Sequence, residues 1–73
     1  MISLGELWPG QAGEVALITS QDSGRLLKLS ALGLIPGVII RLQQRSPAYV
    51  IWIGETQLSL DESIAQEIFL RIA

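Results

Sequence analysis

Seventy-three residues with a formal net charge of −2, no cysteine and no histidine describe one small domain, residues 1–73, without the disulfide or His/Cys metal site that often staples a chain of this size. With 49% hydrophobic and 16% charged residues, stability has to come from a dense aliphatic core, and self-association is a further source of burial. The five basic residues are scattered and outnumbered by seven acids, which argues against nucleic-acid binding.

In chain order, residues 1–13 predict an irregular lead-in with a turn at Pro9-Gly10 and core anchors at Leu4 and Leu7. The lead-in has no basic segment ahead of a continuous apolar run, so it does not read as a signal peptide. No stretch approaches the ~18 apolar residues of a membrane span. A cytoplasmic protein without membrane insertion is expected. Glu14–Ser20 reads as a first strand, and Gln21–Gly24 as a polar loop. Asp22 or Ser23 is placed to cap the helix that follows.

The chain is organised around Arg25–Ile40. Leu26, Leu27, Leu29 and Ala31 are good helix formers and are read as one broad inward stripe, with Arg25, Lys28 and Leu32 on the other side. Gly33 can take the left-handed conformation that closes a helix. Ile35 precedes a proline and is pushed out of the helical region. Pro36 presets a turn in which Gly37 supplies a positive φ if the turn is type II. From Val38 the residues are β-branched and alternate, so Val38–Gln44 reads as a strand with Val38, Ile40 and Leu42 on the core face.

Ser46-Pro47-Ala48 ends that strand. Tyr49–Ile53 and Thr56–Leu60 form a hairpin around Gly54-Glu55, with Leu58 and Leu60 inward. Asp61–Gln66 makes a helical turn capped by Asp61. Glu67–Ile72 is the last strand, with Ile68, Leu70 and Ile72 on one face and Glu67, Phe69 and Arg71 on the other. Five short strands with one helix between the first two give a mostly β fold, a small barrel.

Three motifs resemble the FeoA family. They are Leu32-Gly33-Leu34-Ile35-Pro36-Gly37 after an Arg25-Leu26-Leu27 helix, the opening Leu4-Gly5-Glu6-Leu7-Trp8-Pro9-Gly10-Gln11-Ala12-Gly13, and Leu58-Ser59-Leu60 followed by Ala65 and Ile68. The resemblance covers nearly the whole chain and implies an SH3-like β-barrel. It also implies a cytosolic accessory of the ferrous iron transporter FeoB, acting on that protein's cytosolic region. The same domain type occurs fused to metal-dependent repressors, so a regulatory module acting in trans is the alternative. In the family, apolar residues stand at the positions of Val15 and Ile18. That spacing of three breaks strict alternation and implies a bulge.

Reactive chemistry is poorly supplied. Without His or Cys, neither a common base nor a strong nucleophile is present, and no cofactor motif is found. Ser23-Gly24-Arg25 is too short for a phosphate-cradling loop. The carboxylates Glu6, Glu14, Asp22, Glu55, Asp61, Glu62 and Glu67 include one adjacent pair, Asp61-Glu62, which diverges on either a strand or a helix. No metal site and no enzyme is expected.

What remains is surface. Tyr49–Ile53 is apolar on both faces, and the hairpin sets its phase. A two-residue turn at Gly54-Glu55 points Val50 and Trp52 outward, where Phe69 on the last strand is also read. A turn shifted by one residue would instead expose Tyr49, Ile51 and Ile53. An outward Val50–Trp52–Phe69 patch is either an interface or a face covered by the lead-in, Trp8 included. Arg25 and Lys28, one turn apart beside a partly exposed Leu29, are the helical candidates for docking an acidic or apolar partner.

Overall fold

The structure, a computed structural model, describes residues 1–72. The elements run β1 (Ile2–Ser3), a 3-10 turn (Leu4–Glu6), β2 (Ala12–Ile18), α1 (Ser23–Ala31), β3 (Ile39–Gln44), β4 (Tyr49–Ile53), β5 (Thr56–Leu60), α2 (Glu62–Ala65) and β6 (Ile68–Arg71). Every pairing is antiparallel, and the strands lie in the order β1-β6-β2-β3-β4-β5. The fold is mostly β, with the main helix between the first two long strands. The sheet wraps a core without closing, so it is barrel-like only loosely and keeps two edges, β1 and β5. β1 is additional to the five expected strands, and its two residues are too few to show a period.

The helix and its exit form as the residues dictate. Asp22 accepts the Arg25 N–H at 3.0 Å and caps the first turn. At the other end Gly33 has φ +92°, its N–H donates to the Ser30 carbonyl, and the Leu34 N–H donates to the Leu29 carbonyl, each at 2.9 Å. These two bonds make a Schellman motif, whose hydrophobic partners Leu29 and Leu34 belong to one core cluster. Gly37 has φ +98°, and the Val38 N–H reaches the Ile35 carbonyl at 3.3 Å, which is the type II arrangement. The Gly37 N–H donates to the Val15 carbonyl and the Val15 N–H to the Val38 carbonyl, both at 2.8 Å, so the turn is stitched to β2.

The core is built by alternation. Val15, Ile40, Leu42, Tyr49, Ile51, Leu60, Ile68 and Leu70 are buried, and Leu4 and Leu7 anchor the lead-in beneath them. The register of β2 on β6 shifts between Val15 and Leu17, a bulge where the spacing implied one. The lead-in is also held by Arg45. Its Nη1 donates to the Leu7 carbonyl at 2.6 Å, and its guanidinium lies 4.9 Å from the Trp8 ring centre and 5.8 Å from that of Tyr49.

Two inward assignments are corrected. The helical stripe is narrower than expected: Leu29 is buried and Leu26 half-buried, but Leu27 is 73% exposed and Ala31 is exposed. Residues two apart on a helix sit about 200° apart around its axis, so Leu27 and Ala31 lie across from Leu29. By the same geometry Arg25, four residues before Leu29, belongs to the packed side rather than the outer one. Ile72 is also exposed, because β6 ends at Arg71.

Asp61 caps α2 through one carboxylate oxygen, which accepts the Ile64 N–H at 2.9 Å and the Ser63 hydroxyl at 2.7 Å. The backbone bond first, then the hydroxyl, hold its carboxyl below the ordinary value of 3.8. The folded value lies below the unfolded one. The cap's contribution is therefore present above the unfolded pKa and lost as pH falls through the folded pKa. A carbon-detected NMR titration should place the Asp61 midpoint below 3.8, and a midpoint at or above that value would contradict the cap.

Candidate partner-binding surface

The two-residue turn fixes the hairpin. Ile53 pairs with Thr56, and Gly54 alone in the turn has a positive φ, +57°, the type II′ pattern. Tyr49 and Ile51 are therefore buried, while Val50 is half-buried and Trp52 is 38% exposed on the outer face. The shifted phase is not adopted.

The structure does not gather Val50, Trp52 and Phe69 into one patch. Val50 and Trp52 are on β4 and Phe69 is on β6, with β3 and β2 between them. Phe69 is half-buried and pairs with Ser3 on one side and Leu17 on the other. Trp52 has different neighbours. It pairs with Arg41, and Arg41 pairs with Ala12, so one outward row crosses three strands. Trp52, Arg41, Ala12 and Ile39 line a shallow depression of about 430 Å³ together with Ile40 and Gly54. Ile39 is 59% exposed, and Arg41 is fixed there by donating to the Gly10 carbonyl at 2.6 Å. Alternation had put Ile39 and Arg41 on the outer face. Their adjacency to Trp52 follows only from the register of β3 on β4, which sequence does not supply. Trp8 does not bury Trp52. It stays exposed beside Arg45.

The helical candidates separate as well. Arg25 donates to Glu67 at 2.9 Å in a part-buried ion pair across 42 positions, so its charge is already engaged. Leu29 is 4% exposed, and the partly exposed position expected for it is not found. Lys28 is exposed and makes no salt bridge among the described residues. Arg25, Lys28, Leu29, Asp22, Gly24 and Ile64 line a cleft of about 450 Å³ between α1 and α2. Among the described residues, no three acidic, His or Cys side chains gather as a metal-binding group, and no helix is long and apolar enough to cross a membrane.

A small bent sheet with a helix clamped on by a Pro-Gly turn, and with exposed aromatic and aliphatic side chains on an outer row, has the build of a small SH3-like domain. A family model described as FeoA domain matches residues 2–72, and the chain belongs to the FeoA family. No curated protein matches the chain. Among solved structures it is similar to an iron uptake regulatory protein (FeoA), at 26% identity over 99% of this chain and 96% of that one, with a TM-score of 0.86. It also resembles in fold the FeoA of Stenotrophomonas maltophilia complexed with zinc, described as a prokaryotic SH3 domain protein, at 19% identity, 97% and 91% coverage and a TM-score of 0.84. A manganese-dependent transcriptional repressor in complex with manganese shares the fold at 20% identity and a TM-score of 0.91, over 99% of this chain and 36% of the repressor.

Proposed function

We propose that this chain is a non-enzymatic adaptor in ferrous iron uptake that works in the cytosol by docking to the cytosolic region of the FeoB transporter. Docking biases the transporter's gating or its nucleotide cycle. The observation that carries the reading is the outward row of Trp52, Arg41 and Ala12 beside exposed Ile39, a surface suited to contact and not to turnover. The S. maltophilia relative is put forward as a ferrous iron transport activating factor, which supports the same direction. In this reading Trp52 and Lys28 meet the partner directly, and Arg25, tied to Glu67, holds the helix that presents Lys28. Leu29 acts through the core, and Val50 and Phe69 flank the contact from separate strands.

The test is capture of FeoB's cytosolic domain by the wild-type chain and by a variant carrying Arg25→Ala, Lys28→Ala and Trp52→Ala. Trp at the centre of an interface is commonly worth about 2 kcal/mol or more, close to 30-fold in affinity. Loss of that size, with an amide spectrum still dispersed as in the folded chain, is expected. Undiminished capture would remove this surface from the reading.

The second reading is a regulatory module acting in trans on a metal-dependent repressor. The likeness to the manganese-dependent repressor favours it, since this chain spans about a third of that protein. Capture of a repressor and not of the transporter would choose it.

A further inference from the structure

The two edges of the sheet are unequal. β1 has two residues, whereas β5 presents five, Thr56-Gln57-Leu58-Ser59-Leu60. In a hairpin closed by two residues, the pair next to the turn exchanges both backbone bonds, and bonded and non-bonded pairs then alternate. The pairs Ile53–Thr56, Ile51–Leu58 and Tyr49–Leu60 are thus the bonded ones, and Gln57 and Ser59 turn their N–H and C=O groups away from β4. Among the described residues, no backbone or side-chain group outside the ladder reaches those two N–H groups or those two carbonyls. Both residues are exposed, and the Gln57 amide reaches back across the sheet to Gln43 at 2.6 Å, leaving the edge open.

Open edges in native sheets are normally blunted by lysine, proline, an inward charge or a bulge. Thr56–Leu60 carries none of these, and its pairing with β4 is regular. The charges stand instead at its two ends, Glu55 before the strand and Asp61 after it, both exposed and in no salt bridge among the described residues. Those ends select the occupant. A second copy paired two-fold about Leu58 would set Glu55 of each copy opposite Asp61 of the other, so like charges would meet twice.

We propose that the β5 edge accepts, as an added strand, an extended segment of another protein whose middle is uncharged and whose ends carry Lys or Arg. Gln57 and Ser59 supply two donors and two acceptors to its backbone. Leu58, half-buried on the core side, meets an apolar residue at the segment's centre, and polar residues of the segment face Gln57 and Ser59. The basic ends meet Glu55 and Asp61, six residues apart, or about 20 Å along a strand. The inference does not rest on the transporter reading. Backbone geometry and charge define the occupant, whatever protein carries it.

A seven-residue strand covers far less than the roughly 800 Å² per partner of a stable complex, so the isolated contact is weak and calls for NMR at millimolar peptide. The probes are the capped peptides KTTVTTK and ETTVTTE, titrated into the full chain at low ionic strength. With KTTVTTK, the Gln57 and Ser59 amides should move most. The basic peptide should bind roughly tenfold more tightly than the acidic one, and added salt should erase that difference. Ser59→Pro removes one outward donor and leaves the β4 ladder intact, since proline is tolerated where its missing N–H faces away. It should abolish the response. Glu55→Lys with Asp61→Asn, where asparagine still caps α2, should leave the two peptides indistinguishable. Still amides at Gln57 and Ser59, equal binding of the two peptides to the wild-type chain, or an undiminished response in a folded Ser59→Pro would overturn the proposal. So would concentration-dependent shifts at these amides in the chain alone, because a second copy would then pair in spite of its charges.

Discussion

Leu34→Ala should leave the protein largely unfolded. Leu34 is 1% exposed, and its backbone N–H closes the helix on the Leu29 carbonyl while its side chain enters the core beside Leu29. Removing a buried leucine side chain typically costs about 2–5 kcal/mol. A core in a domain below about 70–80 residues rarely supplies more than ~3–5 kcal/mol in all. The loss is therefore comparable to the whole stability. Urea unfolding followed by circular dichroism should show the transition missing or shifted close to zero denaturant. Leu27→Ala is the control. At that exposed position the change should stay within about 0.5 kcal/mol. Equal costs at the two leucines would mean that the helix packs by a different face.

Gly13→Val should be the second large effect, for a different reason. Gly13 is buried in β2 opposite Ile40. A Cβ there would sit 3.1 Å from the Arg71 carbonyl oxygen and 3.2 Å from the Leu70 Cβ. Those neighbours belong to β6 near its backbone and cannot swing aside, so β6 must shift away from β2. Overpacking of this kind costs about 1–3 kcal/mol, and valine is bulkier than the single Cβ considered. Backbone amide shifts should move along β6 and in β1 beyond it, and the melting temperature should fall by several degrees. Gly10→Ala makes the contrast. Gly10 has φ +94° and nothing near its missing Cβ, so the cost is local strain of about 1–2 kcal/mol and no shift in β6. A spectrum of Gly13→Val confined to residues next to position 13 would contradict the close β2–β6 approach.

What was legible in sequence was mostly local chemistry. Asp22 capping the helix (the first of the two residues offered for that place), Gly33 closing it, Pro36-Gly37 turning the chain and Gly54 opening the hairpin are each set by one residue's dihedral or hydrogen-bond preference, and each forms in the structure. Alternation in β3 and β5 also places Ile40 and Leu60 correctly, and the two-residue turn, one of two phases open in sequence, is the one that buries Ile51. The errors came where a local pattern met long-range packing. A leucine-rich turn of helix looks apolar on all sides, yet docking uses only the line through Leu26 and Leu29. In sequence Arg25 reads as an outer docking candidate, because its partner, Glu67, lies 42 positions away. The outward patch divides for the same reason. Trp52 was placed outward correctly, but Phe69 was assigned to its patch without knowledge of strand order. Ile39 and Arg41, its true neighbours in the sheet, needed the β3–β4 register.

The lead-in and the outer arginines are held rigidly together. Arg41 and Arg45 are tethered to carbonyls of the lead-in at Gly10 and Leu7, so the side chains flanking Trp52 and Trp8 are positioned before any partner arrives. Preorganisation of this kind lowers the entropic cost of binding. Sedimentation of the chain mixed with the cytosolic domain of FeoB at roughly ten micromolar each, where a micromolar complex is largely assembled, tests the contact most directly. A heavier boundary containing both proteins is predicted. Two boundaries that sediment independently at that concentration would contradict it.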